Sequence, residues 1–286
     1  MSTGYPTKTE WLGPPRQGPA RRIVSLVPSL TEAVFYLHAQ DRLVARTEWC
    51  VRPRGEVEAW EAVGGTKNPD MARIAELQPD VILANREENL KKHIERLAET
   101  TPVWLTDPVG PEDVPALWEE LGVITGETDA ANRLARETAD ELENTKSAAA
   151  SGPRPSFVYF VWKDPWMVAG HATYISNLLV AAGWANALAP EHTRFPKLDA
   201  DEVLAIPDVD AYIYSSEPYN FELPRDLLLP DSAASSKVAD DWYAVPSGRL
   251  AVFVDAEPLS WYPSLTVEGL KNAARLRERL LELQRG

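Results

Sequence analysis

A chain of 286 residues with 44% hydrophobic and 25% charged content is long enough for one large domain or two compact ones, and too apolar for a disordered one. The formal charge of −14 excludes a nucleic-acid-binding face, which needs clustered Lys and Arg. The single cysteine, Cys50, excludes an internal disulfide framework and a multi-cysteine metal knot.

Residues 1–21 are polar and rich in Pro and Gly, and they read as a flexible N-terminal segment. They lack the basic start, apolar stretch and small-residue cleavage site of a secretory signal. A cytoplasmic protein is therefore expected if Met1 is the native start, and an extracytoplasmic one if it is not. No run of 18 apolar residues occurs, so membrane insertion is not expected. The first apolar run, Ile23-Val24-Ser25-Leu26-Val27, reads as a buried strand. The loop Pro28-Ser29-Leu30 and a helix from Thr31 to Leu37 follow it. Next come a helix from Met71 to Leu77, a Pro79-Asp80 stop, and a strand Val81-Ile82-Leu83 that runs into Glu87-Glu88-Asn89. A further strand, Val103 to Thr106, ends at Asp107.

Residues 127–150 contain neither Gly nor Pro and are rich in Ala, Leu, Glu and Arg, which favour helix. Leu134, Ala135, Thr138, Ala139 and Leu142 fall at three- and four-residue spacing. Gly126 precedes this stretch and Ser151-Gly152-Pro153 ends it. Such a helix would be roughly 35 Å long at ~1.5 Å per residue.

Beyond it the first pattern returns. Phe157 to Val161 is a buried strand, and a loop Lys163-Asp164-Pro165-Trp166 leads through Gly170 to a helix from Tyr174 to Leu179. A helix from Asp201 to Ile206 again runs into Pro-Asp-Val, at 207–209, and a strand that ends at Glu217-Pro218-Tyr219-Asn220. A last strand, Leu250 to Val254, ends at Asp255. Alternating strands and helices, given twice, predict an α/β fold of two Rossmann-like lobes with parallel sheets, joined by one long backbone helix. The expected division is an N-terminal α/β lobe over 22–126, the connecting helix over 127–152 and a C-terminal α/β lobe over 153–286.

In open α/β sheets ligands bind beyond the carboxyl ends of the strands. Two facing lobes would aim those loops at a shared cleft. The expected lining is Pro28, Ser29, Trp49, Cys50, Thr66, Lys67, Asn68, Glu87 and Glu88 in the first lobe. In the second it is Trp162, Trp166, His171, Glu217, Glu257, Trp261 and Tyr262. Ten tryptophans is a high number, and aromatic faces suit a flat, bulky ligand or a cation. No Ser-elbow, phosphate-binding Gly loop or His-Glu-x-x-His pattern is present, so no catalytic residue is assigned. Glu87 and Glu88 could equally act as paired acids or receive a cationic group. Cys50 and His171, with a Glu, are weak candidates for a metal site, and no cofactor is required.

Three segments resemble class III substrate-binding proteins, the helical-backbone receptors for cobalamin, iron-siderophores and haem. They are Arg22 to Glu32, Val63-Gly64-Gly65-Thr66-Lys67-Asn68-Pro69-Asp70, and Ile74 to Ile82. The resemblance covers about residues 20–280 and is greatest to the cobalamin-binding branch, where position 261 matches a tryptophan that lines the cleft. It implies a non-catalytic receptor for a corrinoid or other metal chelate, linked to ABC-type uptake. The alternative is an enzyme, or a metal-binding or regulatory protein, acting on such a chelate. The resemblance also implies a permease partner. The acidic docking residue of exported members is matched here by Ala72, and Pro263-Ser264-Leu265 offers no docking acid.

Overall fold

The computed structural model describes residues 8–228, 235–245 and 248–285. They divide into two compact α/β units. The first holds the chain to Pro108, Glu112–Asp140 and the short piece Trp261–Ser264; the second holds the remainder.

In the first unit the strands are β1 (Thr9–Leu12), β2 (Ile23–Ser25), β3 (Leu43–Arg46), β4 (Glu61–Ala62), β5 (Val81–Asn85) and β6 (Val103–Thr106). They lie in the order β1-β6-β5-β2-β3-β4. All are parallel except β1, which pairs antiparallel with β6 and sets Thr9 opposite Thr106. The segment expected to be flexible thus supplies an edge strand. Its single apolar pair, Trp11-Leu12, sits among polar and Pro/Gly residues and gives no strand period in the sequence.

Parallel neighbours need crossover connections. The helices α1 (Pro28–Tyr36), α2 (Met71–Leu77) and α3 (Lys91–Ala98) provide them. Pro28 opens α1, where its missing N–H costs nothing. Asp70 caps α2 by accepting from the Arg73 N–H at 3.0 Å, and Gln78 ends it in the left-handed region, φ 47°, ahead of Pro79. The core packs Val24, Ile82, Ala84, Val103 and Leu105 against Ile74, Ile94 and Leu97. A helix α4 (Val114–Thr125) stops at Gly126, whose φ of 81° suits a residue without Cβ. The long helix α5 (Thr128–Ala149) then carries the chain from the first unit into the second.

The second unit contains β7 (Ser156–Trp162), β8 (Trp166–Val168), α6 (Tyr174–Ala181), β9 (Ala185–Asn186), β10 (Lys197–Leu198), α7 (Ala200–Leu204) and β11 (Ala211–Ser215). After these come β12 (Ser236–Ala239), β13 (Trp242–Val245), β14 (Arg249–Val254), α8 (Glu257–Ser260) and α9 (Thr266–Leu283). The sheet order is β10-β8-β7-β11-β14-β13-β12, with β9 also on β7. Only β9, β7, β11 and β14 are mutually parallel; β8, β10, β13 and β12 add antiparallel. The parallel strands expected of this unit are therefore present, with antiparallel strands added at both edges. The connection from β7 to β8 is too short for a crossover, so β8 must return antiparallel.

The parallel series β14-β11-β7-β9 follows the same chain logic as β6-β5-β2-β3. One electrostatic device recurs in both. Asp80 accepts from the Arg21 and Arg22 N–H groups at 2.8 and 3.2 Å, fastening the start of β2 to the start of β5. Asp210 accepts from the Ser156 N–H at 2.7 Å and does the same for β7 and β11. The counterpart of Asp80 in the second unit is therefore Asp210, two residues beyond the Asp208 of the repeated Pro-Asp-Val pattern.

Candidate functional site

The carboxyl ends of the parallel strands in the first unit are tied together by two buried amides. Asn85 closes β5; its Nδ2 donates to Thr106 O, Thr106 Oγ1 and Tyr262 Oη at 3.0, 3.1 and 2.9 Å. Its Oδ1 accepts from the Glu87 and Glu88 N–H groups at 2.8 and 3.2 Å and so shapes the acidic turn. Asn89 accepts from the Asn85 N–H at 2.9 Å and donates to Leu26 O and Thr66 O at 3.1 and 3.0 Å. One side chain thereby joins the loops after β2, β4 and β5. Asn89 belongs to the acidic loop read from the sequence, whereas Asn85 was not singled out, although it is a polar residue at the end of an apolar strand.

Around this frame the expected residues fall into two groups. Trp49 is 60% exposed, and Lys67, Asn68 and Glu88 are also exposed. A Cβ on Gly65 would stand 2.5 Å from Asn68 Oδ1 and 3.2 Å from Trp49 Nε1, so a larger residue here would displace both side chains. Lys67 Nζ donates to Glu87 O. Packing around Glu88 pushes its carboxyl pKa up, with the Lys67 ammonium pulling the other way, even though part of the residue meets solvent. Trp261 is half-buried, with the Arg52 guanidinium carbon 5.8 Å from its ring centroid.

Ser29, Cys50, Thr66 and Tyr262 lie in the second group and are buried; Pro28 is half-buried at the start of α1. The Cys50 sulfur accepts from Thr31 Oγ1 at 3.0 Å and lies 3.2 Å from Thr47 Oγ1. Burial pushes the thiol up, against the pull of those hydroxyls.

The strand ends of the second unit are held differently. Trp162 is 41% exposed and meets Tyr219 edge to face at 5.5 Å. Tyr219 lies 4.7 Å from Phe221, and Phe221 stacks on Trp166 at 6.2 Å with 2° between planes. Trp166 is thus partly core, packed against Phe160, with Lys163 Nζ 5.8 Å from its centroid. Lys163 also donates to the buried Asp226 at 2.8 Å. Burial alone would raise Asp226, but hydrogen bonds from Lys163, the Glu222 N–H and Arg225 outweigh it and hold the carboxyl below the usual range.

Glu217 accepts from Ser260 Oγ at 3.5 Å, and the Glu257 N–H donates to Asp255 Oδ1 at 3.2 Å. His171 Nε2 lies 2.7 Å from Leu188 O, which commits that nitrogen to a backbone partner. Among the described residues no group of three or more His, Cys, Asp or Glu is placed to hold a metal ion.

Residues 23–239 match the family described as periplasmic binding protein. The chain belongs to that family. The vitamin B12-binding protein of Pectobacterium carotovorum is 25% identical over 234 residues, 80% of this chain and 84% of its own. That of Vibrio campbellii is 24% identical over 188 residues, 65% of this chain and 68% of its own. Among solved structures, the periplasmic vitamin B12-binding protein of Vibrio cholerae superposes with TM-score 0.73 at 18% identity, covering 93% of this chain and 98% of the other. A periplasmic heme-binding protein from Roseiflexus gives 0.72 at 18% identity, covering 93% and 99%. The family resemblance read from the sequence therefore holds, and the fold is that of these binding proteins. The relatives are binding proteins, not enzymes. The cytoplasmic placement does not stand, because the family and its solved members are periplasmic. Among the described residues no helix is long and apolar enough to cross a membrane.

Proposed function

We propose that this periplasmic binding protein is a non-catalytic receptor for a corrinoid, held by the aromatic strand-end loops and handed on to an ABC-type permease. The observation that carries the proposal is the Trp49 indole, 60% exposed where the parallel strands of the first unit end. A large apolar face kept in water at the place where α/β sheets bind ligands is a contact surface in waiting. Trp162 repeats the arrangement in the second unit.

Both corrinoids and haem offer a flat metal chelate. The choice between them rests on charge. Glu48, Glu87 and Glu88 in the first unit, and Asp164, Glu217, Asp255 and Glu257 in the second, outnumber Arg52, Lys67, Arg86 and Lys163. Haem carries two carboxylates, which such loops repel, whereas the corrin periphery carries neutral amides that hydrogen-bond to Glu, Asn and Lys alike. The vitamin B12-binding relatives support the same choice.

Cyanocobalamin is expected to quench tryptophan fluorescence saturably with one equivalent, more strongly than haemin. Trp49→Ala should weaken binding by about tenfold, as loss of an aromatic anchor does. No quenching and no heat of binding at high micromolar cyanocobalamin would dismiss the corrinoid reading. Tighter binding of haemin would replace it with a haem receptor.

A further inference from the structure

The segment Trp261–Ser264 reaches the first unit from the far half of the chain. Three of its side chains find named partners there. Tyr262 Oη accepts from Asn85 Nδ2 at 2.9 Å, and Ser264 Oγ donates to Glu32 Oε2 at 2.6 Å. The Arg52 guanidinium stands over the Trp261 indole, and its Nη1 lies 4.0 Å from Glu32 Oε1. Glu32 itself, on α1, is only 5% exposed. A carboxyl group that deep needs partners for its oxygens. Arg52 faces one of its oxygens and Ser264 donates to the other. One carboxylate therefore fixes the cation over the ring and the backbone that carries the ring.

We propose that Arg52, Glu32 and Ser264 are positioning residues that set the Trp261 indole in its binding orientation before any ligand arrives. An indole placed in advance removes an ordering cost from the binding step, so the network acts on affinity through Trp261. That consequence for affinity rests on the receptor reading above; the positioning does not.

The test uses the full chain labelled with fluorotryptophan, with the Trp261 fluorine resonance assigned by its loss in Trp261→Phe. In ligand-free protein, Arg52→Met and Ser264→Ala should each shift or broaden that line and leave the other tryptophan lines in place. Arg52→Lys keeps a cation but not the planar group, so it should move the line less. Glu32→Gln is informative only if the other lines show a native fold, which is why Ser264→Ala is included. Cyanocobalamin titration should then give a Kd raised about fivefold in Arg52→Met, the scale of one partly buried cation–π contact. An unmoved Trp261 line in both Arg52→Met and Ser264→Ala overturns the proposal. A moved line with unchanged affinity overturns its link to binding. If the wild-type protein binds no cyanocobalamin, the receptor reading falls, and the ligand-free spectra still decide the positioning.

Discussion

The two units end their parallel strands in similar loops but hold those loops by different physics. In the first unit buried amides do it: Asn85 and Asn89 between them reach Thr106, Tyr262, Leu26 and Thr66. In the second, stacked rings run from Trp162 through Tyr219 and Phe221 to Trp166, and the buried Asp226 holds Lys163 and the Glu222 N–H. Amide networks are directional and fix backbone positions closely. Ring stacks are broader in geometry and tolerate small shifts. The comparison teaches that one scaffold can end its strands beside an exposed tryptophan on a polar frame or on an apolar one.

The comparison breaks most visibly at Phe221, which is 2% exposed. Phe221→Ala should cost about 3–5 kcal/mol in urea unfolding followed by a second-unit probe, and hydrogen exchange should rise across 216–228 but not across 85–90. Equal loosening of both regions would erase the distinction. Asn89→Ala removes three buried hydrogen bonds and should cost about 2–3 kcal/mol, with faster exchange at Leu26 to Val27 and Thr66 to Lys67.

Asp226 sharpens the comparison through pH. Its folded pKa is lowered, so its contribution is fully present above the ordinary carboxylate value of about 4 and is lost as pH falls through the lowered value. Asp226→Asn should therefore cost about 1–2 kcal/mol at neutral pH and almost nothing in strong acid. The smallest effect is at Glu88, whose pKa is raised. Its charge is then unfavourable at neutral pH, and the stability it withholds returns as pH falls through the raised value and is complete below the ordinary one. Glu88→Gln should stabilise by about 0.5 kcal/mol or less at pH 7, given its contact with solvent, and be neutral near pH 3.

Much of the scaffold was legible in the sequence. Phe157 to Val161 and Val103 to Thr106 are continuous apolar runs, the mark of strands buried on both faces. The unbroken helix-favouring stretch became α5 almost to the residue. The antiparallel edge strands were not legible. β12 is exposed apart from half-buried Ala239, and β1 sits among Pro and Gly, so both owe their form to a neighbour and not to their own period.

In the site, loop tryptophans could be read as aromatic and near a strand end, but their exposure could not. Trp49 and Trp162 face water, Trp166 leans on the core, and Trp104, Trp118 and Trp184 are buried. Glu32 and Arg52 were missed because their meaning lies in a partner more than 200 residues away, Ser264 and Trp261. The repeated Pro-Asp-Val at 207–209 does not locate the strand clamp, which falls to Asp210 because sheet register sets it.

Hydrogen exchange of the full chain with and without saturating cyanocobalamin tests the account most directly. Protection is expected in residues 47–52, 64–68, 85–90, 162–166, 216–221 and 255–262, with the strand starts near 21–23 and 208–211 unchanged. Protection at the strand starts instead, or none anywhere, would contradict a receptor whose strand-end loops hold the ligand.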